Sequence, residues 1–225
     1  MLLSIIRQNQ KLAAKRNPAF DRNRFAKFLI YFMVAFWAAY LIFIGVMLSF
    51  AFEDIFPSME PYHIMNQGLI YLLILDFLLR FMLQPAMSQE IKPYLLMPIK
   101  KNKLVDTLLL QSGISSYNFF WFFLIVPFAL LTIIRFYGLT GILCYLCGIW
   151  LLMVMNSYWY LICKTLLNEK LLYILLPIGV YGLLAGAEFI PEGNPVSTFM
   201  MNLGEGFIEG NILSFLGVIA AILLL

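Results

Sequence analysis

Uninterrupted apolar length constrains this chain more than any other feature. Phe28–Phe52 runs 25 residues without a charge, Leu108–Ile134 runs 27, and Leu139–Ile162 runs 24. A hydrocarbon core of about 30 Å is crossed by about 20 helical residues. Lipid offers no hydrogen-bond partner to an open backbone, so runs of this length are expected to be helices. Ile64–Leu83 is a further run of 20 residues that carries Asp76 and Arg80, and Leu171–Ala187 is one of 17. Ile212–Leu225 is an apolar stretch of 14 residues, which reach about 21 Å as a helix, too short to cross. It is read as the start of a sixth helix inside which the sequence stops. Composition agrees: 63% of the 225 residues are hydrophobic and 12% charged, against about 45–50% and about 25% in soluble domains. A water-soluble fold of this size cannot bury that much apolar surface, which excludes a soluble enzyme or a nucleic-acid-binding module.

The expected fold is therefore an all-α polytopic membrane protein of six transmembrane helices, the last incomplete. The spans are placed near 28–52, 64–83, 108–134, 139–162, 171–187 and 212–225. The first span begins after 27 mostly polar residues and is too long for a cleavable signal peptide. Ahead of it, segment 1–27 places Leu2, Ile5, Ile6, Leu12 and Ala13 on one helical face, with Arg7, Gln8, Lys11 and Lys15 elsewhere. That pattern predicts an amphipathic basic helix lying in the headgroup layer, ended by Asn17-Pro18.

Charge alternates along the connecting segments. Residues 1–27 hold seven Lys/Arg, loop 84–103 holds Lys92, Lys100, Lys101 and Lys103, and turn 163–170 holds Lys164 and Lys170. These three segments carry 13 of the 15 basic residues. Loop 53–61 carries three acids and no Lys/Arg, and loop 188–211 carries four acids and no Lys/Arg. The positive-inside rule then predicts an N-terminus in the cytoplasm of a cell bounded by this inner membrane.

The loop after the second span departs from a plain polar connector. Between Pro93 and Pro98 stand Tyr94, Leu95, Leu96 and Met97, followed by Ile99, Lys100, Lys101 and Lys103, with Glu90 and Lys92 just ahead. An exposed apolar patch with a basic rim marks a partner surface or a helix resting on lipid. The run Tyr94-Leu95-Leu96-Met97-Pro98-Ile99, with its basic tail and a new span behind it, resembles the permeases of ABC-2-type exporters, and most nearly an uncharacterised bacterial group of them. The amphipathic N-terminal helix and the longer outer loop before the sixth span are similar as well. Met87 stands where that family often carries an acidic-basic-Gly turn, and Glu90 is the nearest acid.

The resemblance implies a permease half that contains no cofactor and is coupled to a separate P-loop ATPase. ATP would be bound and hydrolysed on that partner. The docking residues would be Glu90, Lys92, Pro93, Tyr94, Leu95, Leu96, Met97, Pro98, Ile99, Lys100 and Lys101. A second half, from a homologous segment or another copy, would complete the pathway. The alternative is a non-transport membrane assembly or scaffold protein that binds a cytoplasmic partner through the same loop.

Other signals are weaker. Asp76 and Arg80 lie four apart and share a helical face. They read as a packing pair near the cytoplasmic end, with Arg80 able to snorkel, or as a gate next to the loop. Asp106 is expected to open the third span at its helix N-terminus. Gly179, Gly182 and Gly186 suggest a close internal helix contact. Ser112-Gly113-Ile114-Ser115-Ser116 gives the third span a small polar face, and Pro127 and Pro177 are candidate kinks. Loop 188–211 is either flexible or folded into short helices dipping toward the membrane. Cys144-x-x-Cys147 lies in an uncharged span and reads as packing. His63 has no second His or Cys nearby and reads as solvated. No G-K-[ST], H-E-x-x-H or G-x-S-x-G set is present, so no enzyme activity and no metal site are expected, and no nucleic-acid partner.

Overall fold

The computed structural model describes residues 24–84, 101–188 and 194–225, together with Gln8 and Leu12, which are helical and exposed. Every regular element among the described residues is helical. The elements are α1 (Arg24–Ile55), α2 (Pro61–Gln67), α3 (Leu69–Leu83), α4 (Lys101–Gly113), α5 (Ser116–Phe120), α6 (Phe122–Thr132), α7 (Ile134–Glu169), a 3-10 turn (Leu171–Ile174), α8 (Leu175–Glu188), α9 (Pro195–Ile208) and α10 (Ile212–Leu224).

Three helices are long and apolar enough to cross a membrane alone: Lys27–Ile55, Ile134–Glu169 and Leu171–Glu188. Three bent pairs pass together, which gives up to six if each pair is one span. The pair α2 and α3 bends by 48°, the α4–α6 series by 61°, and α9 and α10 by 116°. The second and third apolar runs are thus broken helices, where uninterrupted ones were expected, while the sixth, 212–225, is the unbroken α10, joined through a sharp bend to α9 in the loop before it.

Each break has a local cause. Pro61 starts α2, and the bend to α3 falls at Gly68. In the third run the break falls at 114–121 and not at Pro127, which sits inside α6. Ser115 takes extended backbone and stops α4. The Asn118 side chain then donates to the carbonyls of Ser112 at 2.9 Å and Gly113 at 2.6 Å, replacing donors that a continuing helix would supply. Gly138, at φ 62° and ψ −162°, splits the first turn of α7 from its body, in backbone space open essentially to glycine. Between α9 and α10, Gly210 at φ 72° ends one helix, and the Asn211 side chain accepts from Leu213 N at 3.0 Å to cap the next. Helix α4 begins at Lys101, so Asp106 lies inside it and does not open it.

Helix α7 is the spine. Its buried side chains, among them Tyr145, Ile149, Leu152, Met153 and Tyr160, meet α3, α4, α6, α9 and α10. Helix α1 packs on α6 so closely that a Cβ on Gly45 would stand 2.3 Å from the Leu124 carbonyl oxygen. Its free face carries Phe28, Phe32, Phe36 and Tyr40 as an exposed i, i+4 column. Helix α8 is exposed almost throughout, and nothing lies within 4 Å of a Cβ built on Gly179, Gly182 or Gly186. The internal contact expected there is absent. Its small residues meet no neighbouring helix, so they do not serve a close approach within the described residues.

Candidate functional site

The docking residues Glu90, Lys92, Pro93, Tyr94, Leu95, Leu96, Met97, Pro98, Ile99 and Lys100 lie outside the described residues, and Lys101 opens α4. The two helices that bracket that loop are described, and both are tied to α7.

Asp76 and Arg80 form the hub. Arg80 Nε donates to Asp76 Oδ2 at 2.6 Å, and the two side chains are 1% and 4% exposed. Arg80 therefore does not snorkel. It is held inside because two further helices supply partners. Arg80 Nη2 donates to Asn118 Oδ1 at 2.8 Å, Trp121 Nε1 to Asp76 Oδ1 at 2.8 Å, and Asn156 Nδ2 to Asp76 Oδ2 at 2.7 Å. Asn156 Nδ2 also reaches the Leu73 carbonyl at 2.9 Å. A buried carboxylate with three donors, one of them a neutralising guanidinium, is well solvated by protein. Through Asn118 the same hub holds the break that ends α4. Arg80 Nη1 has no partner among the described residues.

Toward the loop, α7 clamps both flanking helices. Lys164 Nζ donates to the carbonyls of Phe81, at 2.9 Å, and Gln84. Tyr160 Oη donates to Gln84 O at 2.7 Å. The ammonium stands over the rings of Phe81 and Tyr160 at 5.4 and 5.3 Å. A cation on the last carbonyls of α3 complements its helix dipole. On the other flank, Tyr158 Oη donates to Leu109 O at 3.1 Å, and the hydroxyls of Ser157 and Ser112 are 2.7 Å apart. Nearby, Val105, Leu109, Leu161, Ile162 and Ile222 wall a cavity of about 570 Å³ with Asp106 in its lining.

A second polar station lies at the opposite end. His63 Nδ1 meets Glu205 Oε1 across 142 residues. One turn deeper, Tyr145 Oη donates to Asn66 Oδ1 at 2.9 Å. Helix α9 is pressed against this station: a Cβ on Gly204 would stand 2.3 Å from Asn66 Cγ, and one on Gly148 2.2 Å from Phe207 Cγ. The carboxylate of Glu188 accepts from Ser197 N at 3.2 Å and from its hydroxyl, capping the start of α9. His63, expected to be merely solvated, is thus half-buried against an acid.

The two stations do not join. Asn66 and Asp76 are ten residues apart, about 15 Å of helix, and buried Leu69, Ile70 and Leu73 fill the stretch. Such a seam holds helices together without offering a continuous polar path. Nor do three or more His, Cys, Asp or Glu gather as a metal cluster among the described residues. Sequence reading found Asp76 and Arg80 and missed Asn118, Trp121 and Asn156. The signal for Asn118 and Asn156 was a carboxamide in each of two uncharged runs, since such groups are costly in lipid unless they find a partner.

Fold and seam define a class: a helical membrane protein with three to six candidate spans, pinned by buried polar contacts along one central helix. Residues 10–225 match the model of a family of unknown function, DUF5687, and the chain belongs to that family. No curated protein and no solved structure matches it.

Proposed function

We propose that the chain is the membrane-spanning permease half of an ABC-2-type exporter, driven by a separate P-loop ATPase that docks on loop 88–103. In this reading each bent helix pair is one span, the N-terminus and the Lys164 end face the cytoplasm, and the protein sits in the inner membrane. The observation that carries the reading is the double clamp on α7. Lys164 and Tyr160 hold the helix before the loop, and Tyr158 and Ser157 hold the helix after it. A force applied to the loop is thereby passed to the central helix instead of being lost in slack connections. The Asp76–Arg80 hub extends that hold deeper into the bundle and serves as a coupling element. Export follows when ATP-driven closure of the partner moves α3, α4 and α7 together against a second half.

The test is gentle purification of the native protein, followed by mass spectrometry of what accompanies it. A co-purifying P-loop ATPase that is lost on Tyr94→Asp, Leu95→Asp or Leu96→Asp, with membrane insertion intact, is the expected result. Absence of any ATPase after mild cross-linking refutes the reading and leaves a scaffold role for the loop.

A further inference from the structure

We propose that His63 and Glu205 form a protonation-sensitive latch that closes α9 onto α2 at the end of the molecule away from the loop. The contact joins two elements that are each half of a bent pair. Helix α2 is hinged to α3 at Gly68, and α9 turns by 116° into α10. Hinged segments are the parts of a bundle that move without unpacking the rest. The imidazole lies at the edge of a cavity of about 350 Å³ lined by Pro57, Ser58, Met59, Glu60, His63 and Met201. Releasing α9 from α2 widens that cavity, because Met201 lies on α9 and the other lining residues on α2 and the turn before it.

The surroundings fix the sign. Glu205 of α9 touches His63, and Glu60 lines the same cavity. Tyr62 lies beside His63 at 4.2 Å between ring centroids, the rings tilted by 40°, and Tyr137 of α7 stands against Tyr62 at 6.0 Å. Helix α1 ends with Glu53 and Asp54, and Glu209 closes α9. Arg135 is the other cation of this end among the described residues, and it is committed to Glu53 at 2.9 Å. A protonated imidazole therefore meets a field of acids with Glu205 in contact. A neutral imidazole keeps at most an uncharged hydrogen bond. Charge-assisted hydrogen bonds are roughly twice as strong as neutral ones. The latch is closed while the imidazole carries a proton and Glu205 its charge, and it loosens when the imidazole loses that proton. Beneath the latch, Asn66, Tyr145 and Gly204 are packed against one another, so opening is a local release of the α9 rim and not global unfolding.

The experiment is hydrogen exchange by mass spectrometry on the full chain in lipid nanodiscs, with rates corrected for the chemical effect of pH. Protection of residues 195–208 is expected to fall about tenfold between about pH 5.5 and about pH 8, the order by which a charged hydrogen bond exceeds a neutral one. Glu205→Gln and His63→Gln should each abolish the difference, and Glu60→Gln should preserve it. Equal protection of the unsubstituted chain at the two pH values overturns the latch, whatever the variants do. So does a Glu205→Gln chain that keeps the full response, or a Glu60→Gln chain that loses it. None of these readouts depends on loop 88–103 or on an ATPase, so the latch and the exporter reading stand or fall separately.

Discussion

Replacing Asp76 by Asn keeps the shape of the hub and removes its negative charge. The Arg80 guanidinium, 1% exposed, is then left buried without a counter-ion. The substituted amide still offers one oxygen, but its NH2 group points donors at Arg80, Asn156 or Trp121, all of which are themselves donors to Asp76. Breaking a buried pair by removing one partner costs about 3–5 kcal/mol. Arg80→Met alone should cost a similar amount, because it strands the carboxylate. The double variant Asp76→Asn, Arg80→Met removes both charges and leaves mainly the Asn118 side-chain oxygen without its donor, at about 1–3 kcal/mol for a buried unsatisfied group. The double variant is therefore expected to be less destabilised than the sum of the singles by at least about 2 kcal/mol, a coupling typical of contacting residues. Trp121→Phe removes one charged hydrogen bond and should cost about 1.5–3 kcal/mol. Equilibrium unfolding in mixed micelles, titrated with a denaturing detergent, measures the whole cycle. Additivity of the two single changes to within about 0.5 kcal/mol refutes the claim that the charges are one buried unit.

Three further outcomes follow from single contacts. Lys164→Met removes the cation from the last carbonyls of α3 and should cost about 1–2 kcal/mol, with faster proteolytic cleavage within residues 85–100 as the direct readout. Gly148→Ala places a Cβ 2.2 Å from the Phe207 ring. Overpacking of this kind costs about 1–3 kcal/mol, and Phe207→Leu should recover most of the loss in the same unfolding assay. Gly182→Ala meets nothing within 4 Å, so the gain in helix propensity over glycine, about 1 kcal/mol, should appear as unchanged or raised stability. A marked loss there would show that α8 packs against a neighbour.

Helix identity was legible because length and hydropathy are local. Phe28–Phe52 was placed within α1, and Leu139–Ile162 within α7, from apolar length alone. The i, i+4 spacing of Asp76 and Arg80 gave their pairing for the same reason: the helix itself brings them together. The breaks were less legible. Pro127 was the obvious kink, yet the chain bends at Ser115–Trp121, where Asn118 can replace the lost backbone donors. Loop 188–211, open between two readings, holds α9, whose Gly204 fits against Asn66 and whose Phe207 fits against Gly148.

The sequence by itself determined that the chain is helical, that its helices are built for lipid, and which segments carry the basic charge. Each of these is a sum over neighbouring residues and needs no knowledge of what they touch. The tertiary structure alone decided that Asp76 is shared with Trp121 and Asn156, 45 and 80 residues away. It also decided that Lys164 caps a helix 80 residues earlier and that His63 meets Glu205. Those contacts arise where helices cross, and crossings are set by which faces fit. A buried polar group selects among possible crossings because most of them would leave it unpaired.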